Sequence, residues 1–164
     1  MPGPLDNRGL HPDYRLKEAF EVSPVQAKAL VDEGKAVVLD CRTDEELEVA
    51  RVPGALHIPL HELDTRWQEI EADPDAVILT LCHHGRRSFR AATALQAKGF
   101  SNTRSIAGGI ESWSLAIDPI VPRYTNDQCG PQRIDSPRLP TLRLCSKGVR
   151  TDRAAYLRTA EGSS

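Results

Sequence analysis

The 164-residue sequence is poor in several things, and each shortage removes a class of protein. Its four cysteines are unevenly spaced, with no C-x-x-C pair and no C-x-x-C…H-x-x-H arrangement, so no zinc site is expected. No apolar run reaches the length that crosses a bilayer, and no signal-peptide core opens the chain. A cytoplasmic location is therefore expected, where a free thiol survives. An excess of one charge is also missing: the formal net charge of −2 gives no whole-chain case for binding nucleic acid or a membrane surface. The length suits about one domain, and a 40% share of hydrophobic residues suffices for an ordinary core.

What the chain does contain is organised around one stretch. Val77-Ile78-Leu79-Thr80-Leu81 is a short apolar run. It meets Cys82-His83-His84-Gly85-Arg86-Arg87-Ser88, and residues 89–99 follow with helical apolar periodicity. This order reads as strand, loop, helix. A loop curling into a helix start presents backbone N–H groups with no intrahelical partner, and the helix adds roughly half a positive charge there. Such a cradle favours anions. Cys82 sits at its edge, and four of the five residues after it are His83, His84, Arg86 and Arg87, a setting that favours the thiolate and makes a nucleophile. An inert core cysteine would instead have apolar neighbours. Gly85 can turn the backbone at positive φ and let it approach a bound anion. The paired histidines lack a further Cys or His at ligand spacing, so they read as loop residues adding donors and partial charge. No metal and no cofactor is expected.

Strand and helix patterns alternate on either side. Ala19-Phe20-Glu21-Val22 suits a short edge strand. Ser23-Pro24-Val25-Gln26 supplies an N-cap, a first-turn proline and a capping-box partner for a helix ending at Gly34. Ala36-Val37-Val38-Leu39-Asp40 is a continuous apolar run, as in a parallel strand buried on both faces. Thr43 and Glu46 can cap a second helix, and an Arg42–Glu46 ion pair is expected to tie strand end to helix. His61 to Ala72 reads as a helix with Leu63, Trp67 and Ile70 inward, and Thr103-Arg104-Ser105-Ile106 as a final strand. Alternation of this kind predicts an α/β fold with a doubly wound parallel sheet and a site beyond the carboxyl ends of its strands.

Three motif regions carry a family resemblance. The Cys82 loop resembles the active-site loop of rhodanese-like sulfurtransferase domains, whose catalytic cysteine opens a six-residue loop before a helix. Asp40-Cys41-Arg42 with its acidic helix, continued by Val52-Pro53-Gly54-Ala55-Leu56-His57-Ile58-Pro59-Leu60, is similar to their first signature, and Ala107-Gly108-Gly109-Ile110-Glu111-Ser112-Trp113 to their second. Arg51 stands where those domains usually carry histidine, and His57 where asparagine is common, so neither is assigned chemistry. The double-histidine loop and the ending at Ile117 to Tyr124 look most like single-domain bacterial members. The resemblance implies a five-stranded parallel sheet flanked by helices, Cys82 as the catalytic residue, and His83, His84, Gly85, Arg86, Arg87 and Ser88 as the substrate-binding loop. It further implies transfer of sulfane sulfur from thiosulfate or a persulfide donor to a thiophilic acceptor through a Cys82 persulfide, with a small anionic donor and a protein acceptor as partners.

Two other functions fit the same pattern. One is a non-enzymatic sulfur carrier or binding module. The other is a phosphatase or arsenate reductase on the same fold, like the related cell-cycle dual-specificity phosphatases, whose loop is one residue longer with an arginine at its far end. Here position 88 is Ser and Arg87 comes one step too early, so the shorter ring suits a sulfur atom better than a phosphate.

The remaining expectations concern the flanks and the other cysteines. Residues 1–18, with several prolines and glycines, read as a flexible leader before a domain at 19–124. Residues 125–164 carry seven Lys/Arg against four Asp/Glu, a net +3 after a −5 body, and read as a disordered basic tail with a short helix after Asp152. So modest a charge does not call for a nucleic-acid partner. Cys41 reads as a small core residue, with a resolving thiol as the alternative, and nothing around Cys129 or Cys145 suggests chemistry.

Overall fold

The computed structural model describes residues 3–73 and 75–134. In chain order the elements are β1 (Glu21–Val22), α1 (Pro24–Asp32), β2 (Ala36–Asp40), α2 (Asp44–Val49), β3 (Leu56–His57), α3 (Leu63–Arg66), β4 (Val77–Leu81), α4 (Arg86–Ala97), β5 (Thr103–Ile106), α5 (Gly109–Ala116), β6 (Tyr124–Asp127) and β7 (Gly130–Arg133). The first five strands form an all-parallel sheet in the order β1-β5-β4-β2-β3. From β2 the chain winds outward to β3, and from β4 it winds the other way to β5. The winding therefore reverses between β2 and β4, and the crevice beyond their carboxyl ends is where such a sheet offers a site.

The continuous apolar runs reflect burial of both sheet faces. Val38, Leu79 and Leu81 meet Ala27 of α1 and Ile110 and Trp113 of α5 on one face. Leu39, Ile78 and Cys82 meet Leu63, Ala91 and Leu95 on the other. Both expected capping boxes are formed: Ser23 with Gln26 starts α1, and Thr43 with Glu46 starts α2.

Three segments differ from expectation. The described part of the leader is packed: the Asp6 carboxylate accepts from the N–H groups of Arg8 (2.8 Å) and Leu10 (3.2 Å), and Leu10 is 1% exposed. Tyr14 also donates to Glu21 at 2.7 Å. One aspartate turn and one leucine anchor a stretch whose prolines and glycines suggested looseness. Residues 60–69 form one α-turn flanked by two 3₁₀ turns, not one long helix. Leu63 and Ile70 are nevertheless buried, and half-buried Trp67 packs edge-on against Phe100 at 6.0 Å. Finally, residues 124–133 form an antiparallel hairpin, so ordered structure continues past 124 into the stretch assigned to the tail. The expected disorder from 135 onward, the helix after Asp152 and Cys145 lie outside the described residues.

Candidate functional site

Cys82 is the first residue beyond β4, and α4 begins at Arg86. The turn is thus Cys82 to Gly85, while Arg86, Arg87 and Ser88 are the first turn of the helix. Gly85 is the N-cap at φ +97°, a conformation few other residues adopt, and it has no side chain with which to cap. Its N–H donates to Cys82 Sγ at 3.1 Å. The first turn of α4 holds no acidic residue, and the sulfur, bonded to the N-cap amide, lies at the helix end where the dipole is positive. The second polar neighbour is the Ser88 hydroxyl, 3.3 Å from Sγ and itself 2.8 Å from the Ser105 hydroxyl. Cys82 is 1% exposed. Its sulfur lies between an amide and a hydroxyl at the top of an otherwise apolar core.

The Gly108-Gly109 turn holds the other side of the loop. Ile110 N–H donates to Cys82 O at 2.8 Å and Glu111 N–H to His83 O at 3.2 Å. The first amides of α5 therefore tie down two loop carbonyls.

The basic loop residues divide sharply. His83 is buried at 6% exposure, its Nε2 lies 3.0 Å from Tyr124 O, and its ring is sandwiched between His84 (3.8 Å) and Tyr124 (4.0 Å). A carbonyl only accepts, so Nε2 carries the proton. Burial, reinforced by the neighbouring His84, lowers the His83 pKa to about 4. His83 is therefore neutral near pH 7 and adds no charge to the loop, contrary to the sequence reading. Arg87 makes two bonds to Glu46, at 2.6 and 2.7 Å, which fasten α4 to α2. His84 and Arg86 are exposed. Arg86 makes no ion pair among the described residues, which leaves it as the loop's available guanidinium.

The expected Arg42–Glu46 pair is not formed. Arg42, fully buried, pairs with Asp40 at 2.6 Å and also donates to Ala50 O (2.8 Å) and the Tyr124 hydroxyl (3.0 Å). Tyr124 in turn donates to Glu46 at 2.8 Å, so its hydroxyl joins two ion pairs into one network, and Asn126 adds a bond to Glu46 at 3.2 Å. Burial alone would raise the Glu46 carboxyl, but Arg87, the Thr43 N–H and Tyr124 together hold it well below the usual carboxylate range. Tyr124 and Asn126 were missed by sequence reasoning, since their partners lie some 80 residues away and no local pattern marks them. Arg51 and His57 hold the backbone carbonyls of Leu47 (2.9 Å) and Arg42 (2.8 Å). Among the described residues no cluster of three or more His, Cys, Asp or Glu is placed to bind a metal ion.

A parallel α/β sheet whose central strand delivers a cysteine to the start of the next helix defines a class of cysteine-loop domains. The chain belongs within it to the rhodanese-like domain family, whose sequence profile matches residues 23–116. Thiosulfate sulfurtransferase GlpE of Pseudomonas entomophila is 41% identical over 98 residues, covering 60% of this chain and 87% of that protein. The putative sulfur carrier protein YrkF of Bacillus subtilis is 34% identical over 111 residues, covering 67% of this chain and 59% of that protein. The structure of a human single-domain sulfurtransferase aligns with a TM-score of 0.52 at 25% identity, covering 58% of this chain and 96% of that one. The chain spans less than two thirds of the length of YrkF and of several other curated relatives.

Proposed function

We propose that the chain moves sulfane sulfur from thiosulfate or a persulfide donor to a thiophilic acceptor, with Cys82 carrying the sulfur as a persulfide. The Cys82 thiolate, its proton given up to solvent, attacks the outer sulfur of thiosulfate. A new sulfur–sulfur bond forms as the donor's breaks, and sulfite leaves with the electron pair. The terminal sulfur left on Cys82 is negative, and the first amides of α4 lower its energy. An acceptor thiolate or cyanide then attacks that outer sulfur and Cys82 leaves as thiolate. Arg86 is the residue assigned to the donor's sulfonate. The observation that carries this reading is the Gly85 N–H on Cys82 Sγ at 3.1 Å, at a helix start without acidic residues. The names of the relatives, thiosulfate sulfurtransferase and sulfur carrier, support rhodanese-type sulfur transfer in general.

The phosphatase alternative has less support. Position 88, where its arginine would stand, is a buried serine bonded to the thiol. The carrier alternative draws on the similarity to YrkF and on the burial of Cys82, which suits delivery by a donor protein. An assay of the intact chain and Cys82→Ser with thiosulfate, a small persulfide donor and an aryl phosphate separates the three. Transfer from thiosulfate, no phosphate release and loss of all transfer in the variant are expected. Retained transfer in Cys82→Ser refutes the proposal.

A further inference from the structure

Cys41 stands beside Cys82. β2 and β4 pair in parallel register with Asp40 opposite Leu81, and the ladder continues one step further, Cys41 N–H donating to Leu81 O at 2.9 Å. Cys41 thus lies opposite Cys82 on neighbouring strands about 4.8 Å apart, inside the Cα separation of roughly 4.4–6.8 Å that a disulfide spans. Their side chains fall on one face of the sheet. Leu39 and Cys41 of the β2 segment share a core with Ile78 and Cys82 of the β4 segment, as alternation along paired strands requires. The Cys41 thiol contacts Leu81 O at 3.1 Å, the carbonyl immediately before Cys82. The two residues also sit at the carboxyl ends of the two strands between which the winding reverses. Sulfur transfer as described above gives the Cys41 thiol no task.

We propose that Cys41 is a resolving thiol: when no acceptor takes the sulfur, it collapses the Cys82 persulfide to a Cys41–Cys82 disulfide and releases hydrosulfide. This rests on the persulfide reading. The Cys41 sulfur attacks the inner sulfur, Sγ of Cys82. The Cys41–Cys82 bond forms as the bond to the outer sulfur breaks, and the outer sulfur leaves with the electron pair and with the proton of Cys41 as hydrosulfide. The outer sulfur is reduced by two electrons and each cysteine sulfur is oxidised by one, so no outside oxidant enters. A small dithiol, oxidised to its own disulfide, restores both thiols. Burial and the adjacent Cys82 raise the Cys41 thiol well above its ordinary range. Resolution is accordingly slow beside transfer to an acceptor, and it drains only sulfur that is stranded.

The test loads the intact chain with inorganic polysulfide, removes the excess and follows it without acceptor by non-reducing peptide mass spectrometry and a sulfide assay. Expected is a persulfide on Cys82 that gives way to a linked Cys41–Cys82 peptide with one hydrosulfide released per link, reversed by dithiothreitol. In Cys41→Ser and Cys41→Ala the persulfide should persist and hydrosulfide release should be lost. The linked peptide is read in the unmodified chain, so a variant that fails to fold leaves the test intact. A Cys82 persulfide that decays with no linked peptide overturns the resolving role alone. Absence of any persulfide on Cys82 overturns this proposal together with the sulfur-transfer reading.

Discussion

At Gly109 a Cβ would lie 2.4 Å from the carbonyl oxygen of Cys82 and 2.5 Å from that of His83, with the backbone at φ +62°. At Gly34, φ +68°, a Cβ would meet nothing within 4 Å. Both substitutions to alanine incur the left-handed penalty of roughly 1–2 kcal/mol, but only Gly109→Ala must also displace the loop. Urea midpoints should show Gly109→Ala losing clearly more stability than Gly34→Ala, and only the former losing sulfur transfer. Equal losses would mean that the close approach is not rigid. His83 yields a second expectation. Its folded pKa of about 4 lies below the ordinary 6.5, so the unfolded chain binds the proton first as pH falls. The contribution, up to about 3 kcal/mol, is fully present above pH 6.5 and is lost as pH drops toward 4. Urea midpoints at pH 8 and pH 5 should differ in this direction, and the difference should shrink in His83→Phe. The sequence showed a basic neighbourhood after Cys82 but not its division. Which of His83, Arg86 and Arg87 stays free depends on Tyr124 and Glu46, which come from distant parts of the chain.

Between elements, the start of α4 is braced twice. Amides of α5 hold the loop carbonyls, and the Glu46–Arg87 pair fastens α4 to α2. Arg87 is 31% exposed while Glu46 is 4% exposed, so the pair sits at the edge of the core and removing the carboxylate charge leaves Arg87 a route to water. Glu46→Gln should cost about 1–3 kcal/mol. Tyr124→Phe should cost a comparable amount, because its hydroxyl serves both Arg42 and Glu46. The two losses should be non-additive in a double-mutant cycle of urea midpoints, since both changes cut one network. Strict additivity would show the bridge to be energetically idle. α1 and α2 were legible because capping boxes marked their starts, and α4 because apolar spacing followed the glycine turn at Gly85. The β6–β7 hairpin was not: it is mostly exposed and polar, and it is anchored through Tyr124, which is buried by tertiary contacts that leave no local period.

At the centre of the sheet β2 and β4 were legible for a simple reason: strands buried on both faces read as unbroken apolar runs, and their alternation with helices admits few topologies. The edge strand β3 was not, because two residues that are only partly covered make no run. That topology brings Asp40-Cys41-Arg42 at the end of β2 and Cys82 at the end of β4 to one crevice, which explains why two motifs 40 residues apart serve a single place. The packed N-terminal segment lay beyond such reasoning, because a single buried leucine makes no pattern. The most direct measurement is peptide mass spectrometry of the chain after incubation with thiosulfate and removal of small molecules. Sulfur transfer through Cys82 predicts one added sulfur atom on the peptide containing Cys82, removed by cyanide with stoichiometric formation of thiocyanate and absent in Cys82→Ser. A chain that gains no sulfur there, from thiosulfate or from a persulfide donor, would contradict it.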